Sequence, residues 1–260
     1  MNIKQFISDL TQLTTSQNKL VGKQVLNLAF AESTMDDTRA LASQGAREGL
    51  VVIADHQSKG RGRFNREWLT TAGQDVTISI LFKPSLNKLH MLNMVASLAI
   101  QKTIYEITKE KAEIKWPNDV LVKGKKVSGI LIETVMSNAN EVDFAVVGIG
   151  LNVNLDLAEM DMIKDSATSI SLIKGSITDK YEVLSILLNM IDKHYQLLQQ
   201  GIDLCIEWSS NLSTIGAQVK VSNGKNIILG YAVGVDSVGN LIIETNEEKI
   251  TVSSGDVTLI

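Results

Sequence analysis

The sequence is poor in the residues that build reactive or cross-linked sites. Its 260 residues include one cysteine, Cys205, three histidines and two prolines. A single cysteine excludes an internal disulfide and a cysteine-rich zinc site. Cys205 lies within a helical apolar pattern, which indicates a buried structural thiol rather than a nucleophile. None of the histidines has a second His or a Cys at metal-ligand spacing, and we expect His90 and His194 on helix surfaces.

Long hydrophobic runs are also missing. No run approaches the ~18 residues that span a bilayer, and the first ten residues lack the basic and apolar regions of a signal peptide. The sequence therefore predicts a cytoplasmic protein without membrane association, consistent with the lone cysteine. The formal net charge of −4 argues against binding nucleic acid over a large surface, but it permits a local basic site.

What is present divides the chain into two regions. In the first, apolar strand patterns alternate with two long amphipathic helices, 89–107 and 181–200, and residues 76–82 alternate as in a half-buried strand. After about residue 212 helical periodicity vanishes, and short strand patterns recur between turn residues. Their number and spacing predict a small β barrel at the end of the chain.

The most unusual segment is rich in glycine and arginine. Residues 59–68, KGRGRFNREW, carry four cations and one anion in a chain of negative total charge. Glycines let backbone N–H groups approach an anion, guanidiniums bind phosphate bidentately, and Trp68 offers a flat face to a base. Because this loop directly follows a predicted buried strand, 49–55, it predicts a nucleotide site at a rigid edge. A solvated loop or an RNA-binding tract is the alternative.

A second segment, KWPND at residues 115–119, combines a lysine with oxygen donors. Pro117 predicts a bend that presents Asn118 and Asp119 to solvent or ligand. An Asn-Asp pair beside lysine can orient phosphates and a hydrated Mg²⁺, because this hard cation prefers oxygen ligands.

The next predicted strand begins near Lys126 and contains Gly129. A glycine inside a strand often marks the close approach of a ligand or of another part of the backbone. For Lys123 and Lys125, a hairpin turn with solvated lysines is the simpler interpretation. Two further patterns are weak alone: Ser33 is typical of a helix N-cap, and residues 148–152 (GIGLN) lack the third glycine of a dinucleotide fingerprint.

Together, these motifs closely resemble those of the biotin protein ligases. They are Ser33-Thr34, Gln57 to Trp68, Lys115 to Asp119, Lys126 to Glu133 and Gly148 to Asn152. Five motifs in the right order are far more specific than any one. The resemblance implies an α+β fold: a catalytic domain, 1–211, with a mixed β-sheet flanked by helices as in class II aminoacyl-tRNA synthetases, and an SH3-like β barrel, 212–260.

The resemblance also implies a two-step reaction. Biotin and ATP give biotinyl-5′-AMP and pyrophosphate, and a lysine of a biotin carboxyl carrier protein or domain then attacks the adenylate. Alignment and charge neutralisation by Arg, Lys and Mg²⁺ suit this chemistry, which needs no Cys or Ser nucleophile. ATP and biotin are then substrates, and Mg²⁺ is expected with ligands that the sequence does not identify.

Residue roles follow from the same resemblance. The expected biotin-binding residues are Ser33, Thr34, Gln57, Arg61, Gly62, Lys126, Gly129 and Leu131. The expected ATP- or adenylate-binding residues are Gly60, Arg61, Gly62, Arg63, Arg66, Trp68, Lys115, Asn118, Asp119 and Asn152. Lys126 and Arg63 are the expected catalytic groups, because Lys126 would lie between the biotin carboxylate and the α-phosphate, where charge develops.

Some features depart from the family pattern or leave alternatives. Met35 stands where many relatives carry Asn, and Ser58 stands where Thr is usual, so the biotin contacts could differ in detail. Only 32 residues precede Ser33, where bifunctional members carry a DNA-binding winged helix, and we expect no DNA binding. The sequence does not decide whether the protein forms a homodimer. The alternatives are a lipoate protein ligase-like adenylating enzyme and a nucleic-acid-binding module that uses the Gly/Arg loop.

Overall fold

The structure is a computed structural model that describes residues 18–155, 157, 163–222, 224 and 226–260. The larger sheet contains β1 (Gln24–Leu28), β2 (Leu50–Ala54), β3 (Val76–Phe82), β4 (Glu113–Lys115), β5 (Asp119–Val122), β6 (Lys125–Asn138) and β7 (Glu141–Leu151). The smaller sheet contains β8 (Gln218–Ser222), β9 (Ile227–Val235), β10 (Leu241–Glu244), β11 (Lys249–Val252) and β12 (Asp256–Leu259). The helices are α1 (Thr34–Ser43), α2 (Met91–Thr108), α3 (Ile170–Lys174), α4 (Lys180–Gln199) and α5 (Cys205–Ser209). None of these helices has the length and apolarity that crossing a bilayer requires.

The larger sheet is mixed, as expected. Its strand order is β1-β2-β3-β7-β6-β5-β4, in which β1 and β2 run parallel and every other neighbouring pair is antiparallel. Helix α1 packs on one face, where Met35 and Ala42 join an apolar cluster with β2, β3 and β7. Helices α2 and α4 pack together, and both contribute to the large apolar core that includes the opposite face. The prediction of a mixed sheet flanked by helices is confirmed.

The smaller sheet corrects one expectation. Its five strands are antiparallel in the order β11-β10-β9-β8-β12, and in the described part of the chain the edge strands β11 and β12 do not pair with each other. The predicted barrel is therefore not closed. Its inner residues, including Ala232 and Ile243, belong to the same apolar core as α2 and α4. This face is covered by the larger part of the protein, so it does not need to close on itself.

The two helix histidines differ from expectation. His194 is buried on α4, where its Nδ1 contacts the Met190 carbonyl oxygen at 2.7 Å, and burial lowers its pKa. The surface position predicted for it is wrong, because it lies on the side of α4 that packs into the protein. His90 precedes α2 and is partly buried. Cys205 is buried in α5 as predicted, and burial raises the pKa of its thiol.

A buried carboxylate fixes the first described residues to α4. Asp192 is 2% exposed, and its two oxygens accept the backbone N–H groups of Lys19, Leu20 and Val21 at 2.8–2.9 Å. A buried carboxylate is stable where several donors surround it, as they do here. The chain thus enters β1 from a defined point on the helical layer.

Candidate functional site

A pocket of about 150 Å³ opens on the α1 face of the larger sheet. Residues from all five sequence motifs line it. The expected site residues among them are Ser33, Thr34, Gln57, Arg61, Gly62, Arg63, Arg66, Trp68, Asn118, Asp119, Lys126, Gly129 and Leu131. The segment 59–68, which we call the arginine loop, covers one side and directly follows the buried strand β2, as the sequence predicts.

Glycines form the floor of the pocket because a tryptophan lies on them. Gly129 in β6 and Gly150 in β7 face each other across the strand pair. A Cβ added at Gly150 would stand 2.2 Å from Trp68 Cε2, and one at Gly129 would stand 2.9 Å from Trp68 Cζ3. Only glycine therefore permits this packing. The buried Trp68 Nε1 has no hydrogen-bond partner among the described residues, although an indole N–H normally finds one when buried.

One end of the pocket is built from small polar side chains at the start of α1. Ser33 is the N-cap residue as predicted, but its buried side chain makes no capping hydrogen bond. The Gln57 Oε1 accepts hydrogen bonds from the Thr34 backbone N–H at 2.8 Å and from its hydroxyl at 3.0 Å. The Ser79 hydroxyl lies 2.8 Å from that of Thr34. This end offers hydroxyl and amide groups to a neutral polar ligand.

Beside the polar end, Met35 packs over the backbone of β7. A Cβ added at Gly148 would stand 2.8 Å from Met35 Sδ. The residue that departs from the family pattern therefore lines the pocket with a thioether, and only 5% of its surface is exposed.

Positively charged side chains line the other end of the pocket. Lys126 Nζ lies 2.7 Å from Asp119 Oδ1 and 5.4 Å from the centroid of the Trp68 ring. The Lys126 backbone is fixed on both sides, because its N–H donates to the Ser166 carbonyl and its carbonyl accepts from the Thr168 N–H, each at 2.8 Å. The lysine thus reaches the pocket from a rigid strand, with a carboxylate and an aromatic face as neighbours.

Arg63 lies between the larger sheet and the end of the smaller one. Its Nη1 donates to Asn118 Oδ1 at 3.0 Å and to the Gly255 carbonyl oxygen at 3.1 Å. Burial lowers the pKa of this guanidinium, although Asp119 and Asp256 act in the opposite direction. An arginine remains charged in such a setting, so Arg63 brings a partly desolvated positive charge to the pocket.

The other two arginines of the loop bind carboxylates. Arg61 donates to both oxygens of Asp36 at 2.7 Å and lies 3.4 Å from Glu133. Arg66 pairs with Asp256 through both of its terminal nitrogens. These contacts lower the pKa of Asp36 and of Asp256. The arginine loop is therefore fastened to α1 at one end and to β12 at the other.

Three expected site residues do not line the pocket. Gly60 accepts the Trp68 N–H at 3.0 Å, and a Cβ there would stand 2.7 Å from the Trp68 carbonyl oxygen. Lys115 ends β4. Asn152 follows β7, where its Nδ2 donates to the Thr168 carbonyl oxygen at 3.0 Å. Its Oδ1 is buried and has no partner in the described structure.

The sequence did not reveal four residues that shape the site. Asp36, Ser79, Glu133 and Asp256 contact predicted site residues, but Asp36 resembled an ordinary first-turn acid and Asp256 an ordinary turn residue. Asp36, Glu133 and Asp256 contact arginines that lie 25, 72 and 190 positions away in the sequence, so no local pattern marks these pairs. The GILIE end of the fourth motif was the only signal for Glu133.

The oxygen donors fit a magnesium ion that shares its coordination with a substrate. Within the described ranges, no group of three His, Cys, Asp or Glu residues is placed to hold a metal ion. Asp119 lines the pocket beside Lys126 and Arg63. Magnesium bound to nucleotides commonly takes one or two carboxylates, with phosphates and waters completing its octahedron. One carboxylate in this position meets that requirement.

Comparison with known proteins identifies this mixed sheet and its pocket as a ligase catalytic domain. Residues 28–152 match the Biotin/lipoate A/B protein ligase family, and residues 214–259 match the Biotin protein ligase C terminal domain. The chain belongs to the biotin protein ligase family.

Individual relatives agree with this assignment. The chain is 33% identical over 248 residues to the bifunctional ligase/repressor BirA of Bacillus subtilis, which covers 94% of this chain and 76% of the relative. It is 31% identical to the biotin--[acetyl-CoA-carboxylase] ligase of Mycobacterium tuberculosis, over 90% of this chain and 88% of that one. The structure of the Aquifex aeolicus biotin protein ligase in complex with biotin and ATP superposes with a TM-score of 0.78 at 32% identity, covering 92% of this chain and 99% of that one.

Proposed function

We propose that this chain is an ATP-dependent biotin protein ligase. It converts biotin and ATP into biotinyl-5′-AMP and pyrophosphate and then transfers biotin to a lysine of a carrier protein. One observation carries the proposal: all five motifs meet in one pocket that joins a small polar end to a cluster of cations over a glycine floor. The related Aquifex aeolicus structure contains biotin and ATP together.

Biotin occupies the polar end in this proposal. Its ureido ring carries two N–H donors and one carbonyl acceptor, which complement the side chains of Ser33, Thr34 and Gln57. The rest of the biotin pocket is lined by the backbones of Gly62, Gly129 and Leu131. Met35 supplies an apolar surface for the bicyclic ring. Hydroxyl and amide partners suit a neutral urea, because they satisfy its hydrogen bonds without an uncompensated charge.

The cationic end carries the first reaction step. An oxygen of the biotin carboxylate attacks the α-phosphorus of ATP, and the bond from that phosphorus to the oxygen bridging it to the β-phosphate breaks, so pyrophosphate leaves with the electron pair. Lys126 stabilises the negative charge that develops on the α-phosphate oxygens, and Arg63 holds the phosphates under the loop. Asp119 would hold a magnesium ion, which would supply neutralisation of charge on the triphosphate.

The adenosine part of the nucleotide meets the remaining predicted residues. The unpartnered Trp68 Nε1 lines the pocket and can donate to an adenylate oxygen. Asn152 lies outside the pocket lining, and we assign its unpartnered Oδ1 to the nucleotide contacts from the resemblance alone. Supplying the missing partner of a buried polar group is favourable, because its desolvation has already occurred. Of the remaining residues that we assign to the nucleotide, Arg61, Arg66 and Asn118 line the pocket. Gly60 and Lys115 lie outside its lining and are assigned from the resemblance alone.

In the second step the carrier provides the nucleophile. The neutral amine of its lysine attacks the carbonyl carbon of biotinyl-5′-AMP, an amide bond forms, and AMP leaves as the amine loses its proton.

We assign the carrier to a biotin-dependent carboxylase and the reaction to the cytoplasm, where one free thiol is stable. We divide the chain into a catalytic domain, 1–211, and an SH3-like domain, 212–260.

Biotin-dependent exchange of pyrophosphate into ATP tests this function. The purified protein should exchange labelled pyrophosphate with biotin and ATP but not with lipoate, and it should label a carboxylase carrier domain. Exchange with lipoate alone would assign the rival ligase activity. The nucleic-acid alternative predicts binding that weakens steeply with salt. Against it, Lys59, Arg61 and Arg66 are already paired with carboxylates of this chain.

A further inference from the structure

Arg61 is held by carboxylates from two elements that are distant in sequence. Asp36 lies in the first turn of α1, and its two carboxylate oxygens accept hydrogen bonds from the two terminal nitrogens of the Arg61 guanidinium, each at 2.7 Å. An oxygen of Glu133 in β6 lies 3.4 Å from one of these nitrogens. Glu133 also pairs with Arg39 of α1. We propose that Asp36 and Glu133 are positioning residues, which fix the arginine loop over the adenylate by holding Arg61.

The geometry favours anchoring over direct phosphate binding by this guanidinium. A bidentate pair fixes the plane of the guanidinium as well as its distance, and both terminal nitrogens of Arg61 are occupied by protein carboxylates. Arg63, two residues further on, makes contacts of a different kind, because its Nη1 meets an amide oxygen and a backbone carbonyl. Arg63 is thus the loop arginine with no direct carboxylate pair in the described structure.

Holding Arg61 also holds the rest of the loop. Its backbone bridges to Glu67, the Gly62 N–H donates to the Arg66 carbonyl oxygen at 2.7 Å, and the Trp68 N–H donates to the Gly60 carbonyl oxygen. These contacts make the loop a small closed hairpin. A hairpin that is cross-linked in this way moves as a unit, so loss of the Asp36 contact would displace Trp68 and Arg63 together, without any direct change to the residues around the substrate.

The proposal rests on the proposed adenylation activity and is tested with matched variants of the full chain. Asp36→Asn and Glu133→Gln remove the charges that hold Arg61, and Asp37→Asn removes the same charge one residue away. We expect Asp36→Asn to raise the KM for ATP and the release rate of biotinyl-AMP by roughly three- to tenfold, with kcat nearly unchanged, as for the loss of a well-formed but partly exposed ion pair. Asp37→Asn should match the parent, and Asp36→Glu should recover part of the loss.

An Arg61→Gln background separates anchoring from direct catalysis. If Asp36 acts through Arg61, Asp36→Asn adds nothing to Arg61→Gln, because the partner is already absent. Equal effects of Asp36→Asn and Asp37→Asn, additive effects of Asp36→Asn and Arg61→Gln, or a fall in kcat of a hundredfold or more in Arg61→Gln alone would overturn the proposal.

Hydrogen exchange gives a readout that does not need activity. The Gly62 and Trp68 amides of the ligand-free protein should exchange faster in Asp36→Asn than in Asp37→Asn, and equal rates would contradict the anchor. If the parent protein performs no biotin-dependent exchange but the amides behave as expected, the proposed function fails while the anchoring of the loop stands.

Discussion

Trp68 and Gly150 are in contact so close that no other residue fits at position 150, where a Cβ would stand 2.2 Å from the indole. The floor of the pocket and the arginine loop therefore depend on each other. The indole can pack at this position because two facing strands both carry glycine at this level.

Gly150→Ala should displace Trp68 and with it the loop. We expect biotin and ATP to bind at least about tenfold more weakly, since an extra methyl group in a closely packed site typically costs about 1–3 kcal/mol and about 1.4 kcal/mol is a factor of ten in affinity. Isothermal titration with each substrate measures the change. Gly234→Ala is the matched control, because a Cβ there meets nothing within 4 Å. Equal affinities in the two variants would refute the dependence.

Lys126→Ala should abolish adenylate formation while the fold persists. Removal of a charged group aimed at the developing phosphate charge typically costs about 10²–10³-fold in rate. The rate of biotin-dependent ATP/pyrophosphate exchange measures it. Lys125→Ala, which removes the neighbouring exposed lysine on the same strand, should retain the rate of the parent. An unchanged rate in Lys126→Ala would remove this lysine from the mechanism.

The contact between Arg66 and Asp256 should fail only in acid. Arg66 lowers the pKa of Asp256, so this group stabilises the folded protein above the ordinary carboxyl pKa and loses its contribution as the pH falls through the lowered value. The difference in unfolding free energy between the parent and Asp256→Asn should be constant from pH 8 to 5, at no more than about 1 kcal/mol for an exposed pair. It should shrink below about pH 4. Urea unfolding at each pH tests the trend, and a difference that grows in acid would contradict it.

Asp192→Ala should destabilise the fold without touching the pocket. Three N–H groups lose their acceptor, but only that of Val21 is fully buried, and one buried unsatisfied donor typically costs about 1–3 kcal/mol, so we expect a loss of about that size. The midpoint of urea unfolding reports the change. The exposed Asp143 provides the comparison, since Asp143→Ala should shift that midpoint only slightly. Similar midpoints in both variants would show that the hydrogen bonds to Asp192 contribute little to the free energy of unfolding.

The sequence predicts elements well where one physical cause decides them. The amphipathic patterns at 89–107 and 181–200 correspond to α2 and α4 within two residues at each end, because an apolar face sets both the type and the extent of a helix. Strand β3 shows the limit. Its alternation predicts a half-buried strand, yet all seven residues are buried, since the face with Thr77 and Ser79 lies beneath α1 and the pocket.

The pairings that hold the site together lie beyond sequence patterns. Arg66 and Asp256 are separated by 190 positions, and either charge alone resembles an ordinary solvated residue. Only the packing of the smaller sheet against the larger part of the protein brings them into contact. The motifs therefore identified the residues around the pocket, whereas tertiary structure decides which arginines pair with carboxylates.

The hydrogen bond from Arg63 to the Gly255 carbonyl couples the nucleotide pocket to the last strand of the chain. Coupling of this kind is reciprocal. If Arg63 binds a phosphate as we propose, that contact also restrains β12, and loosening of β12 weakens the contact of Arg63 with the phosphate. Occupancy of the pocket can consequently be read at a distance, from the protection of the Val257 and Leu259 amides. A substitution that strengthens the contact between the two sheets should therefore lengthen the residence time of the adenylate, although it changes no residue that touches the adenylate.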